Sequence, residues 1–227
     1  LVDDLLSEKE QIQYIREWWQ ENRLYIFVVG FLLIGGISGN NYWKSSNLNH
    51  QISASSLYES LATEISENDL ESGEAIAKRI YEEHEDTIYA DKAKLAMAYF
   101  YMSQSRDEDA ANILRDLISA PNNNELQLLG SLRLAKILLY QGKHQDVLEL
   151  LENNTGHAYE TKYSELLGDA YFALEDYNKA ELAYLNALKN NGSAQMVDAS
   201  LIQMKINDLP ELFMSEDVSS IDQVTLQ

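Results

Sequence analysis

The chain has 227 residues, 37 acidic against 17 basic side chains, a formal charge of −20, no Cys and two Pro. Affinity for a phosphate backbone is built mainly from Lys and Arg, so this balance argues against a nucleic-acid partner. The lack of Cys excludes a disulfide scaffold, a thiol nucleophile and a Cys-ligated metal, and so few Pro favour an all-α chain with a sizeable core in one or two domains.

Charge divides the chain into three parts. Leu1 to Arg23 carries six acids and three bases, Leu24 to Trp43 carries no charge, and the acidic excess resumes after Lys44. In the first part Ile12, Ile15, Trp18 and Trp19 recur at helical spacing beside Glu10, Arg16, Glu17 and Glu21. That pattern fits an amphipathic segment lying on a membrane face, or equally the start of a helix that continues into the next part.

The uncharged stretch LYIFVVGFLLIGGISGNNYW has twenty residues, about the helix length that a bilayer core of roughly 30 Å requires. Trp18, Trp19 and Tyr25 on one side, and Tyr42 and Trp43 on the other, suit the headgroup region. Arg23 and Lys44 can snorkel outward. A buried helix of a soluble protein competes with a membrane span. However, four of the ten glycines (Gly30, Gly35, Gly36, Gly39) fall here, and each costs about 1 kcal/mol in an aqueous helix. A cleaved signal peptide fits less well, because the leader is long and acidic and the run ends in Asn40 and Asn41. Lys9, Arg16 and Arg23 precede the span and Lys44 alone follows it closely, which places the N-terminus in the cytoplasm and the C-terminal part outside. Gly35, Gly36 and Gly39 offer a small-residue face for contact with another membrane helix, although such residues are also frequent in spans generally.

After Ser45 apolar residues return every three or four positions, with breaks near Asn68, Asp86, Ser103 to Asp107, Pro121 to Asn124, Gln141 to Lys143, Asn153 to Gly156, Glu175 and Asn190 to Ser193. Regular hairpins imply a repeat. The clearest unit runs from Tyr163 to Asn191, with Leu167, Gly168 and Tyr171 on one helix and Ala180, Tyr184 and Ala187 on the next. It resembles a tetratricopeptide repeat, in which small residues sit where helices cross and large ones fill the space between. It departs from that pattern at Ser164, where Trp is usual, and at Gly192, where Pro is usual. Leu134, Ala135, Leu138, Val147 and Leu151 form an earlier unit, and Met97, Ala98, Tyr101, Ala110, Leu114 and Leu117 a looser one. A degenerate pair spans Leu57 to Glu67 and Leu70 to His84, the helix Ala194 to Ile206 is expected to cap the array, and the tail after Pro210 is polar enough to be flexible.

The expected division is a cytoplasmic amphipathic segment at 1–23, a transmembrane helix at 24–43, a linker at 44–51, a tetratricopeptide-like helical-hairpin solenoid at 52–209 and a tail at 210–227. Counting one and four places from the small residue of each first helix puts Tyr99, Met102, Lys136, Leu139, Asp169 and Phe172 on a concave groove, with Tyr140 beside it. Met and aromatic side chains there suit an apolar peptide or helix, although the same residues fit a core between hairpins. A basic carboxylate clamp is not apparent, because Glu165 and Asp169 occupy that face.

No catalytic constellation and no cofactor motif emerges. His50, His84, His144 and His157 are scattered, and the run Glu82, Glu83, His84, Glu85, Asp86 reads better as a solvated helix end than as a metal site.

The segment IREWWQENR leading into the span, GGISG followed by NNYWK, the repeat core and the ending MVDASLIQMKINDLP together resemble the ancillary SecYEG translocon subunit family of the YfgM type, across most of residues 10–210. The resemblance implies a single-pass inner-membrane protein of Gram-negative bacteria with a periplasmic repeat domain. It also implies association with the SecYEG translocon and with a membrane-anchored periplasmic chaperone of the prolyl-isomerase class, in the service of newly translocated client proteins. The leading expectation is a non-enzymatic, anchored interaction module in secretion. The alternative is an anchored regulator that sequesters an envelope-stress signalling partner, and a hydrolase is disfavoured by the missing constellation.

Overall fold

The computed structural model describes residues 8–152, 158–189 and 197–210, without the side chains of residues 8–10, 34, 35, 37–39 and 41. Every regular element among them is a helix: α1 Glu8–Glu67, α2 Leu70–Glu83, α3 Ile88–Ser103, α4 Asp107–Ser119, α5 Asn124–Tyr140, α6 His144–Leu151, α7 Glu160–Ala173, α8 Tyr177–Lys189 and α9 Ala199–Asn207. The chain separates into two compact units, Leu1–Ser53 and Ala54–Gln227.

The first unit is helical through its described length, and residues 44–51, expected as a linker, are part of α1. Neither Gly nor Pro follows Gly39 in that stretch, and Ser and Asn are weak rather than decisive breakers. The side chains of Leu24, Tyr25, Phe27, Val28, Val29, Phe31, Leu32 and Leu33 are all exposed within this unit. Trp19 meets Phe27 edge to face, with ring centroids 6.2 Å apart. Among the described residues no helix is long and apolar enough to cross a membrane. The segment expected to do so includes residues whose side chains lie outside the description.

In the second unit each helix packs on the next from α2 to α9, and α5 also packs on α3 and on α7. The first helices of successive hairpins therefore lie side by side, as stacking of repeats requires. Their burial pattern follows. Helix α3 buries residues around more than one face (Ala90, Asp91, Ala93, Leu95, Met97, Ala98, Phe100), whereas α4 buries one stripe, Ala110, Ala111, Leu114 and Leu117. An inner helix has neighbours on two sides; an outer helix keeps a solvated face.

The turn inside each hairpin is built the same way four times. Asn68, Ser105, Gly142 and Glu175 have φ of 60, 59, 72 and 61°. At each, the N–H of the left-handed residue reaches the carbonyl three residues back: Asn68 to Ile65 (3.2 Å), Ser105 to Met102 (3.1 Å), Gly142 to Leu139 (3.0 Å) and Glu175 to Phe172 (3.0 Å). The next N–H reaches five back, from Asp69 to Glu64, Arg106 to Tyr101, Lys143 to Leu138 and Asp176 to Tyr171, at 2.8 to 3.0 Å. This paired bonding satisfies the last carbonyls of a helix and ends it, and it favours Gly at the left-handed site. Only Gly142 meets that preference. Ser105→Gly and Glu175→Gly are each expected to raise stability by about 0.5 kcal/mol, the relief of left-handed strain less the added chain entropy. Gly142→Ala, with open space around its Cβ, should lower it by about 1 kcal/mol from backbone strain alone. Urea unfolding of the variants checks the signs.

Between hairpins, loops are held by polar clasps. Asp91 is fully buried, and its Oδ2 accepts the backbone N–H groups of Asn122 (2.8 Å) and Asn123 (2.9 Å). The Asn122 amide donates to the carbonyls of Glu85 (2.6 Å) and Thr87 (3.1 Å). A carboxylate with backbone donors on it is a satisfied buried charge. At the other end, Arg106 reaches Glu74 and Asp109, each at 2.6 Å, and Lys143 reaches Glu108 at 3.3 Å. The Lys143 hydrogen bond holds the Glu108 carboxyl below its ordinary range.

The buried residues form two clusters. One, around Leu61, Ala77, Ile80, Ala93, Met97 and Phe100, serves the first hairpins; the other runs from Leu95 through Leu114, Leu134 and Tyr163 to Ile202 and Leu209. Leu134, Ala135, Leu138, Val147 and Leu151 are all buried in it, as the repeat register expects. Helix α9 starts at Ala199 rather than Ala194, because the Asp198 side chain accepts the N–H groups of Ser200 (2.9 Å) and Leu201 (3.3 Å) and so begins the helix there. Residues 194–196 and the tail from 211 onward lie outside the described residues.

Candidate functional site

Helices α3, α5 and α7 carry the side chains expected to face a concave groove. Small residues at the start of each count are buried: Ala98, Ala135 and Gly168. From those fixed points, Tyr99, Met102 and Lys136 come together around one cavity of 310 Å³ between α3 and α5. Its apolar lining is Ala98, Leu114 and Ile137 with the partly buried Met102, and its basic side chains are Arg133 and Lys136. The Arg133 Nη1 donates to the Leu95 carbonyl at 3.0 Å, which ties it to α3. Arg133 was missed by counting forward from the small residue. It lies three places before Lys136, on the same helical stripe, and that spacing was the available signal.

The other expected positions divide. Met102 and Leu139 are partly buried and pack against the main core, so each serves both core and surface. Tyr99 and Tyr140 are 67% and 76% exposed. Phe172 is 41% exposed, and its ring meets Tyr177 at 5.8 Å, edge to face. Tyr171, one residue earlier, is 6% exposed and bonds Glu152 through its hydroxyl.

Asp169 departs from the expectation of an open groove position. Its carboxylate takes Lys205 Nζ from α9 at 2.7 and 2.9 Å and the Tyr184 hydroxyl at 2.8 Å. Lys205 also reaches Glu165 at 3.2 Å, and Lys162 reaches the other oxygen of Glu165 at 3.3 Å. The acidic face foreseen on α7 is thus neutralised by the capping helix, a pairing between residues 36 apart that no local pattern announces. Burial raises the Tyr184 phenol well above its ordinary value, and the Asp169 charge raises it further.

Of the expected membrane contact, a Cβ added at Gly36 would meet open space, while the surroundings of Gly35 and Gly39 lie outside the description. The acidic run Glu82, Glu83, Glu85 and Asp86 borders a shallow depression with Pro121 and Asn122. Among the described residues, no three His, Asp or Glu side chains converge as a metal-holding group; His157 lies outside the description. The arrangement offers shape, apolar surface and charge for binding, on a rigid helical frame.

Comparison with known proteins agrees with this frame. A family model described as a tetratricopeptide repeat-like domain matches residues 16–211. The chain is 28% identical over 210 residues to an ancillary SecYEG translocon subunit of Aggregatibacter actinomycetemcomitans, covering 90% of this chain and 98% of that one. It is 26% identical over 203 residues to the protein of that name from Escherichia coli K12, with 89% and 97% covered. It is 24% identical over 210 residues to that of Haemophilus influenzae, with 90% and 98% covered. No solved structure matches.

Proposed function

The chain belongs to the tetratricopeptide repeat-like domain family, and from that premise we propose that it is a membrane-anchored, non-enzymatic interaction module of the Sec translocon. The observation that carries this reading is similarity to ancillary SecYEG translocon subunits along about nine-tenths of the chain, anchor and repeats together. In this reading residues 24–43 are the anchor in the bacterial inner membrane, supported by their lack of charge and by the exposed apolar side chains of the first unit. The three bases Lys9, Arg16 and Arg23 before the span, against Lys44 alone close after it, support a cytoplasmic N-terminus and a periplasmic repeat unit.

The repeat unit then meets other polypeptides on the strip formed by Tyr99, Met102, Lys136, Leu139, Tyr140 and Phe172. Asp169 contributes by anchoring α9 through Lys205, not by touching a ligand. The partners in this proposal are SecYEG, a membrane-anchored chaperone of the prolyl-isomerase class and newly translocated clients, with Gly35, Gly36 and Gly39 facing a partner helix in the bilayer. No cofactor enters it. The alternative role, sequestering an envelope-stress regulator, uses the same anchor with the cytoplasmic residues around Trp18 and Trp19 as the contact.

A topology reporter tests the reading. Alkaline phosphatase fused after Gln227 should be active and a cytoplasm-only fluorescent reporter at that point dark. The reverse pattern would place the repeat unit in the cytoplasm and remove the secretion role.

A further inference from the structure

We infer that the cavity between α3 and α5 selects a polypeptide segment in which a large apolar side chain is followed closely by Asp or Glu. The inference deepens the proposed partner-binding role and rests on it. It starts from an electrostatic exception. The chain carries −20 overall, yet among the described residues no Asp or Glu lines this cavity, and the ionisable groups other than Tyr99 that do are Arg133 and Lys136. Most other basic side chains described in the second unit are taken up by acids, among them Lys94 by Asp116 at 2.7 Å, Arg106 by Glu74 at 2.6 Å and Lys205 by Asp169 at 2.7 Å. Arg133 donates to a neutral backbone carbonyl, and among the described residues no carboxylate pairs with it.

The floor supplies the apolar half of the preference. Ala98, Leu114 and Ile137 are buried core residues, held in place by packing on both hairpins, and Met102 at the edge can adapt to varied shapes. A volume of 310 Å³ is at the low end of the roughly 300 to 1,000 Å³ typical of ligand clefts, which suits one large side chain rather than a whole small molecule. Exposed Tyr99 lines the opening, and exposed Tyr140, one helical turn beyond Lys136, gives an extended backbone further surface. The apolar side chain enters the floor while the following carboxylate meets the Lys136 ammonium and the Arg133 guanidinium. A charge-assisted contact of this kind sets specificity and register more than raw affinity.

The test uses the full chain in nanodiscs of zwitterionic lipid, so that the bilayer contributes no net charge. Fluorescein-labelled peptides with the cores Asp-Leu-Phe-Glu, Lys-Leu-Phe-Lys and Asp-Gly-Gly-Glu are titrated by anisotropy, with decanoate as a soluble amphiphile. The acidic apolar peptide should bind about tenfold or more tighter than either other peptide, a difference of roughly 1.4 kcal/mol. Lys136→Glu, a change on an exposed side chain, should abolish or invert the preference between the two charged apolar peptides, and Lys136→Arg should keep it. Equal binding of the acidic and basic peptides, a preference unmoved by Lys136→Glu, no saturable peptide binding, or binding of decanoate without peptide would each overturn the inference. Copurification of the translocon with wild type and Lys136→Glu is measured in parallel. Its persistence alongside an overturned preference leaves the broader reading standing, and its loss from the wild type removes that reading independently.

Discussion

Replacing Tyr184 with Ala is expected to lower the stability of the repeat unit by about 3 to 5 kcal/mol, the range for truncating a large buried aromatic side chain. Tyr184 is 2% exposed, and a Cβ built on Gly168 would come within 2.4 Å of its ring. The ring thus lies directly against the α7 backbone, in the space that the missing side chain of Gly168 leaves. The phenol adds a second tie through its hydrogen bond to Asp169. Tyr184→Phe keeps the ring and loses only that bond, for about 1 kcal/mol. Gly168→Ala approaches the same contact from the other side and should cost about 1 to 3 kcal/mol by overpacking. Denaturant unfolding followed by circular dichroism gives all three values. A Gly168→Ala variant as stable as the wild type would mean that α7 and α8 do not approach as described.

The second large effect separates surface from core within two adjacent residues. Tyr171→Ala removes a buried ring and should also cost about 3 to 5 kcal/mol. Phe172→Ala removes a ring that is 41% exposed and touches Tyr177, and its cost should stay near 1 kcal/mol, the value of one aromatic pair with modest burial. Partner binding should fall in the Phe172 variant while its unfolding midpoint stays close to that of the wild type. Equal loss of stability in both variants would assign Phe172 to the core and take it out of the binding strip.

Much of the repeat unit is legible in sequence because its information is local. The breaks at Asn68, Ser103 to Asp107, Gln141 to Lys143 and Glu175 mark the hairpin turns, and the structure places a left-handed residue in each of them. The buried set Leu134, Ala135, Leu138, Val147 and Leu151 follows from helical period alone. Tyr163 is less obvious. It sits one residue before Ser164, is buried, and donates its hydroxyl to the Leu128 carbonyl at 2.7 Å, so an aromatic side chain fills space beside the position where the pattern wants Trp. Burial pushes its phenol up to about 12.

The candidate site and the loop clasps were harder to read because their chemistry depends on residues far apart in the chain. Asp169 looks like an exposed acid until Lys205 arrives from the capping helix. Arg133 looks like an ordinary surface cation until the α3 backbone carbonyl of Leu95 fixes it beside an apolar floor. Asp91 looks out of place on a buried face until the loop at Asn122 and Asn123 turns its N–H groups inward. In each case the partner is more than thirty residues away, beyond the reach of periodicity or capping rules. The start of α9 shows the opposite failure, since Asp198 is a local N-cap signal that the longer apolar period obscured.

The central claim is that the face carried by α3, α5 and α7 meets exported polypeptides and the translocon. Site-specific photocrosslinking in native membranes tests it most directly, with the reactive side chain placed in turn at Tyr99, Tyr140 and Phe172, and at Leu182, an exposed apolar residue on the outer helix α8. Adducts with translocon subunits and with newly exported chains should form from the first three positions and be weak or absent from Leu182. Adducts from Leu182 alone, or equal yields from all four positions, would contradict the account.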